Sequence, residues 1–97
     1  MAFYLTKLAK TDLIDIGHYI QQKWGVRQRN IYLSALDHAF HFLESSPESG
    51  KPCDEIRPGY FKYRVHKHII FYRKVAEKSI EIVRVLHGNT DTGKQFQ

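Results

Sequence analysis

Apolar residues fall at Ala9, Leu13, Ile16, Ile20 and Trp24, at intervals of four, three, four and four. That interval returns a side chain to the same face of a helix and predicts an amphipathic helix here. Phe3-Tyr4-Leu5-Thr6 precedes it, long enough for one strand, and the Thr6 hydroxyl is suited to cap the helix start. Asp12 and Asp15 stand in its N-terminal half and Lys23 in its last turn, the order that the helix dipole favours. Gly25 comes directly after Trp24 and suits a left-handed C-terminal cap. Tyr32, Leu36, Ala39 or Phe40, and Leu43 repeat the interval and predict a second helix. Ser45-Ser46-Pro47 ends it, because proline disfavours helical geometry in the residue before it. With Gly25 and little else between them, the two helices must fold back as an antiparallel hairpin. Trp24, Leu36 and Phe40 lie on the stripes and are expected in the core.

The pattern then changes. Residues 47–59 hold all three prolines, Pro47, Pro52 and Pro58, show no period and predict a loop. From Tyr60 to Val65 the residues alternate, with Phe61, Tyr63 and Val65 on one face and Tyr60, Lys62 and Arg64 on the other. His68 to Tyr72 and Ile80 to Leu86 are further β-rich runs, separated by the polar turn Ala76-Glu77-Lys78. Three strands so close in sequence pair most simply as an antiparallel meander. The predicted order is β-α-α-β-β-β, an α+β fold with an antiparallel sheet packed against the helical hairpin. Residues 1–97 form one domain, and 88–97 are expected to be an irregular tail.

At 97 residues the chain has room for a single core, and 12 Tyr and Phe residues help it reach adequate burial. Cys53 is the only cysteine, so no intrachain disulfide forms and a reducing compartment is favoured. No run approaches the ~20 apolar residues that span a bilayer, and no signal-peptide pattern opens the chain. A cytoplasmic protein without a membrane partner is expected. The net charge of +5 favours an anionic partner.

Few constellations carry chemistry. His38 and His41, and His66 and His68, form pairs without a third ligand nearby, and no metal site is expected. Cys53 stands beside Asp54 and Glu55, whose charge raises a thiol pKa and blunts it as a nucleophile. The six glycines never cluster as a phosphate loop requires. Arg57, Lys62, Arg64, Lys67, Arg73 and Arg84 lie on or beside the strands among Tyr60, Tyr63 and Tyr72. With His87 they form either a phosphate-binding face or a solvated one with snorkelling cations. Arg27 and Arg29 sit in the first turns of the second helix, against the dipole preference, and are expected to serve something besides helix stability.

Several segments together resemble the ParE toxins of the RelE/ParE superfamily. They are Ala9-x-x-Asp12-Leu13-x-x-Ile16, Trp24-Gly25, Tyr32-Leu33-x-x-Leu36 and the block from Gly50 to Lys62, followed by His68-x-Ile70-Phe71-Tyr72 and Val83-Arg84-Val85-Leu86-His87. The similarity runs from about residue 3 to residue 87. It implies the same β-α-α-β-β-β order and a toxin of a type II toxin–antitoxin module. It also implies an acidic, partly disordered ParD-type antitoxin that wraps the hairpin and the sheet, and DNA gyrase as the target. Related RelE toxins cleave messenger RNA on the ribosome. Ile69 and Ile70 stand here where their central strand carries an arginine, which removes a phosphate-stabilising cation. Two features depart from the ParE pattern. Gly88-Asn89-Thr90-Asp91 lacks the usual basic residue and Met-Asp pair, and Phe61 replaces a common arginine.

Three readings follow. The first is a gyrase inhibitor with no catalytic residues and no cofactor. The second is an RNA-cleaving enzyme using His87, Arg64, Arg84 or Lys62. The third is an inactive toxin that only binds antitoxin. Arg27, Arg29, Lys62 and Arg64 are expected to meet antitoxin carboxylates, and Arg57, Arg84 and His87 to meet the target. Sequence-specific nucleic-acid binding is not expected.

Overall fold

The Thr6 side chain starts the first helix and also ties it to the other end of the chain. Its Oγ1 accepts from the Ala9 amide at 3.0 Å and donates to the Val83 carbonyl at 2.7 Å. The computed structural model describes residues 2–90 and 92–96. Strand β1 (Ala2–Leu5) leads into helix α1 (Lys7–Trp24) and helix α2 (Val26–Ser45). A 3-10 turn (Pro47–Ser49) and strands β2 (Lys51–Pro52), β3 (Tyr60–Val65), β4 (His68–Ala76) and β5 (Ser79–His87) follow. A short helical turn, α3 (Thr92–Gln95), comes last among the described residues.

The helical hairpin is as predicted, with one residue between its arms. Gly25 has φ 92°, a backbone region that an L side chain enters only with strain. Its ψ of 174° is extended rather than αL, so the link is not the left-handed cap expected. Gly17 lets the helices approach, since a Cβ there would meet Leu33 Cδ1 at 3.4 Å and Arg29 Cδ at 3.7 Å.

The sheet order is β1-β5-β4-β3-β2. The meander β3-β4-β5 is antiparallel, as predicted. Two features differ from the expectation. Strand β1 pairs with β5 in parallel, so the sheet is mixed rather than antiparallel. The segment read as loop contributes β2, which pairs with β3 through Lys51↔Lys62 and Pro52↔Phe61. Proline is tolerated there because β2 is an edge strand and needs fewer ladder donors. Among the described residues of 88–97, α3 forms one turn where an irregular tail was expected, and residues 91 and 97 lie outside the described residues.

The hairpin covers one sheet face. Ile16, Ile20, Leu36 and Phe40 from the helices pack with Ile70, Tyr72, Ile80 and Val85 from the sheet. Leu36 and Phe40 are core residues, as expected, and Trp24 is not, with 59% of its surface exposed. It sits in the last turn of α1, beside the Gly25 link, and meets Tyr19 edge-on at 6.2 Å instead. Tyr72 is likewise unavailable for stacking at a surface. Its hydroxyl is buried, accepts from the Gly50 amide at 2.9 Å and donates to the Pro47 carbonyl at 2.7 Å. Burial pushes the Tyr72 pKa up to about 12, and the Gly50 amide opposes that shift. A side chain at position 50 would run into the Tyr72 ring, so glycine is required there.

Candidate functional site

Strand alternation divides the predicted cations between two faces. Phe61, Tyr63 and Val65 of β3 turn toward the hairpin core, which sends Lys62 and Arg64 to the outer face. The outer face has its own small cluster of Cys53, Phe71 and Leu86, with Tyr60, Ile69 and Phe96 against it. The Phe96 ring lies 5.8 Å from that of Tyr60 and 5.2 Å from that of Phe71. Cys53 is buried in this cluster. Its pKa is raised by burial first and then by Glu55 and Asp54, with Lys62 opposing, so it is a packing residue rather than a nucleophile.

Arg84 is already engaged. Its Nε donates to Asp12 Oδ2 at 2.8 Å and its second terminal nitrogen donates to Asp12 Oδ1 at 2.9 Å. The same carboxylate accepts from the Val85 amide at 3.0 Å. The two side chains are only 13% and 11% exposed. Asp12 thus joins α1 to the stretch of β5 beyond β1, and its hydrogen bonds raise the Arg84 pKa further. The remaining Arg84 nitrogen donates to Gln95 Oε1 at 3.3 Å, and Arg57 donates to the Phe96 carbonyl at 2.5 Å. Two of the three predicted target residues therefore hold the last turn of the described chain. The third, His87, lies on the opposite face.

The four predicted antitoxin residues are also dispersed. Arg27 is exposed on a shallow groove of α2 with Val26, Asn30, Ile31, Ala35 and His38. Arg29 lays its stem over Gly17 and bonds Gln21 and Asn30, so it joins the two helices. Lys62 and Arg64 face away from both, and Arg64 Nε donates to the His66 carbonyl at 2.9 Å.

Sequence reasoning missed the group near the linked end of the hairpin. Here Tyr32 of α2 reaches His68 of β4, its hydroxyl 2.5 Å from Nδ1. The His68 ring packs edge-on against that of His87 at 5.3 Å. Burial lowers the His68 pKa to about 4, with the neighbouring His87 adding to the shift and Asp12 opposing it. The ring is therefore neutral at pH 7. With its hydrogen on Nε2, its Nδ1 accepts a hydrogen bond from the Tyr32 hydroxyl. The Tyr32 pKa is raised by burial, against the Lys67 backbone and Arg64. Beside this group is a cleft of about 450 Å³ whose walls include Tyr19, Trp24, Ile31, His66 and Lys67. The signal in the sequence was slight: His68 occupies the strand position that shares a face with Ile70 and Tyr72. Among the described residues no group of three or more His, Cys, Asp or Glu is placed to hold a metal. No helix among them is long and apolar enough to cross a membrane.

Comparison with known proteins agrees with this architecture. The family model of the ParE toxin of the type II toxin–antitoxin system parDE matches residues 3–92. Toxin ParE1 of Mycobacterium tuberculosis is 39% identical over 94 residues, covering 97% of this chain and 96% of that protein. Toxin ParE1 of Caulobacter vibrioides is 36% identical over 85 residues, covering 88% and 86%. A solved structure described as the chromosomal ParDE toxin–antitoxin system from P. aeruginosa superposes with a TM-score of 0.77 at 18% identity. It covers 90% of this chain and 95% of that one, and it shows the shared fold. The chain therefore belongs to the ParE toxin family of type II toxin–antitoxin systems.

Proposed function

We propose that this toxin acts in the cytoplasm by binding DNA gyrase, without chemistry of its own, and so blocks replication. Gyrase is the target implied by the resemblance of the sequence. The observation that supports the non-catalytic reading is the scatter of the four residues that the sequence offered for RNA cleavage. Lys62 and Arg64 point away from the hairpin, Arg84 is clamped by Asp12, and His87 lies on the hairpin face. General acid–base chemistry needs a base and a phosphate-binding cation within hydrogen-bond reach of one reacting group. Arg57 and His87 remain the side chains proposed to touch the target, and Arg84 contributes by holding the chain beside Arg57. The test is pulse incorporation of labelled thymidine and labelled methionine just after induction. Thymidine uptake falls first if replication is the target. An earlier fall in methionine uptake overturns the reading in favour of messenger RNA cleavage.

The same reading includes neutralisation by an acidic ParD-type antitoxin. The hairpin leaves Leu8, Ile14, Tyr19, Trp24, Val26 and Ile31 exposed, a density of large apolar side chains that fits a partner helix. Arg27 borders the α2 groove without a hydrogen bond or ion pair to another described residue, so its charge is available to a carboxylate. Lys62 and Arg64 would meet the same chain only where it passes onto the outer sheet face. Arg27→Glu is expected to slow association about tenfold at low salt, with a smaller change in dissociation. Unchanged association kinetics would remove Arg27 from the interface.

A further inference from the structure

The cleft at the linked end of the hairpin sets basic side chains opposite apolar residues that an antitoxin helix would also use, and in the antitoxin-free chain it is open. Its volume, about 450 Å³, lies within the ~300–1,000 Å³ range of small-molecule sites. Two sides of it differ. One is aromatic and apolar, with the exposed rings of Tyr19 and Trp24 set edge-on and Ile31 beside them. The other is the β3–β4 turn and the end of β5, which bring His66, Lys67 and His87. Arg64 stands behind that turn. Its Nε donates to the His66 carbonyl, and its terminal nitrogens lie 3.3 and 3.4 Å from where a Cβ on Gly88 would be.

No carboxylate lines this cleft. Asp12 and Asp15 line the adjoining depression beyond His68 and His87, and Asp12 is taken up by Arg84 and the Val85 amide. An anion is therefore best placed at the Lys67 end. A flat apolar ring is best placed at the Trp24 end. One molecule that satisfies both is an aromatic base joined through a sugar to a phosphate.

We propose that this cleft binds a nucleotide, with its base stacked on Trp24 and its phosphate held by Lys67, His66 and His87. Every base has a π-face, so such a site is tolerant of base identity and is consistent with the absence of a sequence-reading motif. The Tyr32–His68 pair lies between the two ends. Because Tyr32 occupies His68 Nδ1, the Nε2–H is left as a donor for a sugar hydroxyl or a base edge. The proposal does not rest on gyrase being the target.

The test uses the antitoxin-free full chain. Trp24 is the only tryptophan, so its fluorescence reports on this cleft alone. Titrated probes are adenosine monophosphate, adenosine, inorganic phosphate and a short single-stranded DNA. Saturable quenching by adenosine monophosphate is expected, with adenosine and phosphate each weaker by about tenfold or more. Lys67→Glu is expected to weaken nucleotide binding by about tenfold with an unchanged unfolding midpoint. Trp24→Ala, followed by calorimetry, is expected to abolish it. If the single strand binds more tightly than the mononucleotide, a nucleotide within a strand is the ligand. If it does not, the free nucleotide is. No saturable quenching by either, or equal binding to the Lys67→Glu protein, overturns the proposal.

Discussion

On the hairpin side of the sheet, residues from both helices and strands β4 and β5 form one continuous buried cluster. On the outer side, the described residues bury Cys53, Phe71 and Leu86 beneath a loop and the Phe96 ring. The first cover consists of helices of 18 and 20 residues joined by one glycine. The second consists of a loop and a last turn held by Arg57 and Arg84. Burial of apolar area stabilises in proportion to its extent, and most of the buried apolar residues lie on the hairpin side. The outer side has basic residues around a small apolar patch. The large core and the basic residues of β3 thus lie on opposite sides of the sheet.

Substitutions on the two sides should sharpen that contrast. Leu36→Ala, at the centre of the hairpin core, is expected to lose about 3–4 kcal/mol in denaturant unfolding. A loss below about 1 kcal/mol would mean that the hairpin does not anchor the fold. Asp12→Ala, at the seam between the faces, should cost about 3 kcal/mol. It leaves a largely buried guanidinium and the Val85 amide without their acceptor. The double variant Asp12→Ala/Arg84→Met should recover most of that loss, and failure to recover would show that the charge pair is not its source.

Phe96→Ala, on the outer face, is expected to cost about 1 kcal/mol or less. It should nevertheless speed labelling of Cys53 by a thiol reagent, because the small cluster loses its aromatic lid. Labelling that tracks only global unfolding would erase the distinction between the covers. The smallest effect concerns pH. The His68 pKa lies at about 4 in the fold against 6.5 for an unhindered ring. The unfolded chain therefore binds the proton first as pH falls, and stability is lost between about pH 6.5 and pH 4. Since the ring is only partly buried, solvent screening holds this contribution to no more than about 1 kcal/mol. His68→Gln should flatten that part of the pH–stability curve relative to the parent, and an identical slope would contradict it.

Much of this architecture was legible because the determinants are local. The helical stripes, the Thr6 cap, the break at Pro47 and the alternation of β3 each depend on neighbours within one turn or one strand. What was not legible depends on residues far apart. The parallel pairing of β1 with β5 has no local signature. Strand β2 is two residues long and carries a proline, so propensity argues against it even though pairing with β3 creates it. Trp24 follows the helical interval, but the period does not reveal that there is nothing for its side chain to pack on at the end of α1. The Asp12–Arg84 clamp was hidden because Asp12 satisfies a local rule, the dipole preference, while its partner stands 72 residues away. Cations on β3 and on α2 were grouped by charge, and only the pleat shows that they occupy different faces.

The seam between β1 and β5 also sets an order in time. The Thr6 hydroxyl donates to a carbonyl 77 residues further along the chain. A ribosome therefore delivers both helices, and then the meander, before the first strand has anything to pair with. Closing so long a loop is entropically the last favourable step, and contacts of such high sequence separation slow folding. Until β5 emerges, β1 remains an unpaired edge and the hairpin has only part of its sheet. His87, Arg84 and the cleft beside Trp24 all form at that same final closure. The residues proposed to meet a target are therefore assembled only when almost all of the chain has been made.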